Sequence, residues 1–230
     1  NAAGLLPGAP ASAPAAFFMP QSFRMWGINA GFGTDIREQR SRALRPFADV
    51  GRTASSTSGS GYNWLLGAGG SALAFAAYLA EAKHGDNVPA RIHMTNRSAP
   101  RLGEAVNILK DSRVPMSFHL CPHARLNDAI VEALPAGSIV VNATGLGKDR
   151  PGSPLTDSCR FPVNGIAWEF NYRGTLEFMH QAEAQKKERN LLIEDGWTYF
   201  IHGWTQVIAD VFHVDISGDR LALCDKLARS

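Results

Sequence analysis

The stretch from Tyr62 to Ala82, YNWLLGAGGSALAFAAYLAEA, constrains this chain more than any other. A short apolar run, Trp64-Leu65-Leu66, breaks at Gly67-Ala68-Gly69-Gly70 and resumes as Ala-rich apolar sequence. That is the order strand, tight turn, helix. Gly67 lets the chain turn, Gly69 and Gly70 carry no Cβ to block an approaching pyrophosphate, and Ala72 at the third small position lets helix and strand pack closely. The orphan N–H groups and the dipole of the helix start favour an anion at the turn. Gly67, Ala68, Gly69, Gly70 and Ser71 are therefore candidate cofactor-binding residues. A glycine-rich turn that binds nothing has the same local form, so the residues downstream of Ala82 must decide.

Those residues alternate regularly. Strands are expected at Arg91–Thr95, Met116–Leu120, Ser138–Asn142, Val163–Phe170 and Leu191–Ile193, with helices at Pro100–Lys110, Leu126–Leu134 and Thr175–Lys187 between them. Such alternation predicts an α/β fold with a Rossmann-like, doubly wound parallel sheet, whose ligand lies at the C-terminal edge of the strands. With 230 residues, 45% of them hydrophobic and 19% charged, the chain can bury one good core and a second small one. A net charge of +2 with no basic run interleaved with aromatics points away from nucleic acid. No apolar stretch is long enough for a membrane span. Cys121, Cys159 and Cys224 form no C-x-x-C pair, which fits a reducing, cytoplasmic setting.

The second strand ends in Thr95-Asn96-Arg97-Ser98-Ala99-Pro100-Arg101, about where this fold reads an adenosine ribose. An acidic residue there would accept from a 2′-hydroxyl and favour NAD. This chain has Asn96 and Ser98 beside Arg97 and Arg101, whose guanidiniums suit a 2′-phosphate, so the expected cofactor is NADP. A helix start with surface arginines is the plainer reading of the same residues. The fourth strand runs into Asn142-Ala143-Thr144-Gly145, a polar, glycine-bearing exit suited to ribose and nicotinamide and otherwise an ordinary turn. The fifth leads to Tyr172, which presents a hydroxyl at the same edge.

In order, GAGGSA, TNRSAPR, VNATG, a strand ending in Tyr172 and EDGWTYFIHGWTQVIADVF resemble the shikimate/quinate dehydrogenase family over about residues 62 to 213. The likeness reaches back to Gly31-Phe32-Gly33-Thr34-Asp35, similar to the family's G-x-N-T-D. It implies an NADP-binding domain at residues 53–213, an incomplete N-terminal substrate domain or arm at 1–52, and a C-terminal helix in 214–230. It also implies a small cyclic hydroxy or keto acid as substrate, with Asp35 as a proton-transfer group, Tyr172 as an orienting hydroxyl, and Thr34 and His202 as substrate contacts. A homodimer is compatible with it. The chain departs from the family where no lysine precedes Lys83, where Gly203 stands in place of the substrate-binding Gln, and where Glu169 replaces the strand-end Asp. A catalytically weak, ligand-binding or regulatory homologue that keeps dinucleotide binding is the alternative.

Two further readings concern packing. Asp195 is the expected N-cap of the closing helix, and Trp197, Phe200, Ile201, Trp204, Val207, Ile208, Val211 and Phe212 form one broad apolar face, expected to be mostly core. His119, Cys121 and His123 suggest a metal site by composition, but Pro122 interrupts the run and no fourth ligand is near, so no metal is expected.

Overall fold

In the computed structural model the described residues are 62–80 and 88–229. The expected arm or substrate domain at 1–52, with Thr34 and Asp35, lies outside them. The described chain alternates as far as β4: β1 (Tyr62–Leu66), α1 (Gly70–Leu79), β2 (Arg91–Asn96), α2 (Ala99–Leu109), β3 (Met116–Leu120), α3 (Ala124–Glu132) and β4 (Ile139–Asn142), with β5 (Ile166–Glu169) following without a helix. Then come α4 (Glu177–Arg189), β6 (Leu192–Glu194), α5 (Trp197–Phe212) and α6 (Gly218–Ala228). The strands form one six-stranded sheet in the order β3-β2-β1-β4-β5-β6, and every pairing is parallel.

Near-continuous apolar strands of this kind are buried on both faces, and successive side chains must then serve two different cores. Leu65, Val141, Met94 and Trp168 join one cluster with Phe75 of α1 and Ala105 of α2. Leu66, Val140 and Ala167 join the other, with Val131 of α3 and Phe178 of α4. The Ala-rich sequence of α1 has a packing reason: Ala72, Ala74 and Ala76 are buried, and their small side chains let the helix lie close to the sheet. Phe75 meets Trp168 and Phe170 edge to face, each at 5.5 Å between centroids. Its truncation to Ala should cost about 3–5 kcal/mol.

Three expectations need correction. β5 is shorter than the apolar run suggests, because Asn164 takes a left-handed φ of 55° and Gly165 turns back to donate to the Pro162 carbonyl at 3.1 Å. Gly196, not Asp195, is the N-cap of α5; Asp195 Oδ1 instead accepts from the Trp197 amide at 3.0 Å. The apolar face of α5 is not mostly core. Ile201 is buried, but Trp204, Ile208, Val211 and Phe212 are 57%, 40%, 64% and 69% exposed. The sheet's core reaches only the start of this helix, through Tyr199 stacked on Phe170 at 4.6 Å.

Candidate functional site

The sheet order reverses direction between β1 and β4, and in open parallel sheets the crevice beyond that point receives ligands. The register brings the strand ends level there, with Leu66 opposite Thr95 on one side and Asn142 on the other. Main-chain bonds extend the alignment into the loops: Gly67 N donates to Thr95 O at 2.9 Å and Ala143 N to Leu66 O at 2.9 Å. Gly67 has φ 112°, and a Cβ there would stand 2.8 Å from the Ala143 carbonyl oxygen. Only glycine fits this crossing of two loops.

Two cavities open at this edge. The first, of about 670 Å³, is lined by Gly67, Ala68 and Gly69 of the β1–α1 turn, by Asn96, Arg97, Ser98 and Arg101, and by Ala143, Thr144 and Gly145. Its far wall is made by Cys121–Ala124 and by Asp149, Arg150, Ser153 and Pro154. The second, of about 580 Å³, is lined by Gly70, Ser71, Ala143, Thr144, Gly145, Lys148, Asn171, Tyr172 and the first turns of α5. Gly70 and Ser71, expected with the rest of the cradle, thus face the second cavity.

The cradle fits a dinucleotide on the protein's own geometry. A Cβ on Gly69 or Gly70 would meet nothing within 4 Å, so packing does not require glycine at either position. A bound group would use that space. Gly69 is the N-cap of α1, no side chain caps the helix, and no acidic residue sits in its first turn, which leaves amides and the positive end of the dipole for an anion. Asn96 Oδ1 accepts from Ser98 N at 2.9 Å and shapes the bend that carries Arg97 to the rim. Arg97 and Arg101 are both exposed and make no ion pair with any described residue.

Asn142 differs from its expected role. It is fully buried and lines neither cavity. Its Oδ1 accepts from the Thr144 amide at 3.1 Å and the Thr144 hydroxyl at 2.7 Å, while Nδ2 donates to Glu169 Oε2 at 2.8 Å and Leu146 O at 3.3 Å. It holds the Ala143–Gly145 loop from beneath. Glu169, equally buried, also accepts from Asn171 N at 2.9 Å. Burial raises its carboxyl to about 7, against the hydrogen bonds from Asn171 and Asn142 that pull it down.

Tyr172 lines the second cavity, its ring stacked on Phe200 at 3.7 Å. His202 lines neither cavity; it lies within electrostatic reach of Asp225 on α6, whose carboxyl is lowered chiefly by a hydrogen bond from Trp197. His119 meets His93 across the β2–β3 ladder, Nε2 to Nδ1 at 3.1 Å. Among the described residues no three His, Cys, Asp or Glu side chains converge as metal ligands. Sequence reasoning passed over Lys148–Pro154, which lines both cavities. The signal there was the charged run Lys148-Asp149-Arg150 directly after a glycine-rich strand exit.

Comparison with solved structures gives the fold a name. The chain is similar to a shikimate 5-dehydrogenase from Listeria monocytogenes solved with shikimate and NAD, at TM-score 0.54 and 15% identity over 80% of this chain and 61% of that one. It is similar to a ligand-free 5-ketofructose reductase of Gluconobacter, at TM-score 0.50 and 18% identity over 80% and 62%. A shikimate dehydrogenase in complex with NADP+ matches at TM-score 0.50 and 14% identity over 75% and 56%. The fold is shikimate dehydrogenase-like, and the chain spans 56–62% of the length of these structures. No curated protein matches. A family model described as the PelB C-terminal beta barrel domain matches residues 2–74, under half of the chain. The described part of that span is β1, its turn and the first half of α1, within a parallel sheet. Among the described residues no helix is long and apolar enough to cross a membrane.

Proposed function

We propose that this chain is an NADP-dependent oxidoreductase of the shikimate dehydrogenase-like group, moving hydride to or from a small cyclic hydroxy or keto acid. The observation that carries the reading is the pairing of a glycine cradle, open where Cβ atoms would lie, with two guanidiniums that pair with no described residue, and with no carboxylate, at the end of β2. Arg97 and Arg101 hold the 2′-phosphate by charge-assisted bonds, and the amides of the β1–α1 turn hold the pyrophosphate. The Ala143–Gly145 loop, braced by Asn142, borders the nicotinamide end. When bound, the nicotinamide supplies or accepts the hydride. Tyr172 orients the substrate in the second cavity, Thr34 helps to hold it, and Asp35 handles the proton that accompanies hydride transfer. The fold supports this reading through neighbours whose own ligands are NAD or NADP+.

Titration of the full chain with NADP and NAD tests it. Replacing Arg97 and Arg101 together by Ala should weaken NADP selectively. Each lost charged hydrogen-bond partner is worth about 1.5–3 kcal/mol, so preference should move by about two decades or more. An unchanged NADP/NAD ratio refutes the cofactor assignment. An NADPH-consumption screen across cyclic polyols and their keto acids then separates an enzyme from a homologue that only binds.

A further inference from the structure

Among the described residues that line the second cavity, one carries a charged side chain, Lys148, and none is a carboxylate. The Lys148 side chain is 25% exposed, and its ammonium lies 5.3 Å from the centre of the Tyr172 ring. The backbone that carries it is held tightly. Gly147 O accepts from Leu176 N at 3.1 Å, and a Cβ on Gly174 would stand only 2.7 Å from Lys148 Cα. The counter-ion is loose: Asp149 Oδ2 is 3.7 Å from Lys148 Nζ, on a side chain 58% exposed. Asp149 also pairs with Arg173 at 3.3 Å and lines the first cavity rather than the second. Arg173 in turn lies 5.9 Å from the Tyr172 ring, so two cations share one solvated carboxylate beside one cavity. That leaves positive charge in a partly apolar space walled by Tyr172, Tyr199 and Phe200.

We infer that Lys148 binds the carboxylate of the substrate in the second cavity. The inference deepens the proposed function by naming the group that selects an acid over a neutral polyol. A primary ammonium on a fixed backbone, with a weak partner it can release, gains a charge-assisted bond to a carboxylate at little desolvation cost. The aromatic walls supply apolar surface for a ring.

The test measures binding by calorimetry on the full chain, with and without NADP+, using shikimate and its methyl ester as probes. Wild type should prefer the acid. Lys148→Met should weaken shikimate by about 10- to 100-fold, the range for losing one charged partner, while binding the ester as before and keeping its NADP+ affinity. Lys148→Arg should recover much of the lost affinity. The inference is overturned if acid and ester bind wild type equally, if shikimate does not bind, or if Lys148→Met weakens NADP+ instead, which would assign the ammonium to the cofactor. Lys148-dependent shikimate binding in a protein that binds no NADP+ would keep this inference and sink the proposed function. Thermal unfolding of both variants guards against misfolding; the ester affinity reports an intact cavity even where the midpoint drops.

Discussion

Glu169 should make the stability of this protein depend on pH in a direction opposite to the usual carboxylate. Its carboxyl is fully buried at the end of β5, and burial lifts it from 4.5 to about 7 despite bonds from Asn171 N and Asn142 Nδ2. Between those two values the folded chain keeps a proton that the unfolded chain has released. The folded state then binds more protons, so stability falls as pH rises through the window and levels off above it. A gap of about 2.5 units at 1.36 kcal/mol each is worth about 3 kcal/mol. Glu169→Gln removes the titration but not the shape. Its single amide oxygen can accept from only one of the two donors, Asn142 Nδ2 and Asn171 N, so its NH2 must face the other, and that mismatch should cost about 1–3 kcal/mol at every pH. The variant is thus less stable than wild type near pH 4, and the gap shrinks or reverses by about 3 kcal/mol at pH 8. Urea unfolding at half-unit pH steps measures both curves. Titrations common to both proteins cancel in the difference. Parallel curves across pH 4 to 8 would refute the account of a carboxyl raised by burial.

Three further outcomes rest on the same geometry. Gly69→Val should lose NADP and NAD together while changing unfolding free energy by about 1 kcal/mol or less, since its side chain enters open space at a helix N-cap; Gly67→Ala should destabilise by about 1–3 kcal/mol, because φ is 112° and Ala143 O blocks the Cβ. Urea titration beside calorimetry compares the two, and an unstable Gly69→Val or a stable Gly67→Ala contradicts the roles given them. His93 should titrate by NMR near 4, its ring lowered first by burial and then by His119 and Arg91; since the unfolded ring takes a proton below 6.5, this residue withdraws stability as pH falls from 6.5 toward 4, and a midpoint at 6.5 would remove the effect. Asp35→Asn should leave NADP affinity intact and lower single-turnover hydride transfer by about 10²–10⁴-fold, and an unaltered rate would make Thr34-Asp35 a turn.

The sheet was legible because its strands are buried on both faces and read as apolar runs between glycine and proline breaks, and because the β1–α1 turn concentrates small residues where a ligand and a close helix both need them. The apolar stripe on α5 is real, but periodicity reports which residues share a face and not what covers that face. Asn142 was misread for a related reason. A polar residue at a strand exit looks like a ligand contact, whereas here its amide is spent on Thr144, Leu146 and Glu169. The chemistry of Lys148 and Glu169 was not legible because it comes from neighbours brought in by the fold: Tyr172 and Gly174 for one, Asn142 and Asn171 for the other.

The strip Ala143–Gly145 is a wall of both cavities, so their occupants cannot bind as strangers. An occupant of the first cavity that shifts the strip reshapes the second. Reciprocity then requires that each occupant alter the other's affinity by one common factor. Under the proposed activity the dinucleotide and the small acid should each shift the other's affinity by that one factor, which calorimetry on each ligand with and without the other measures.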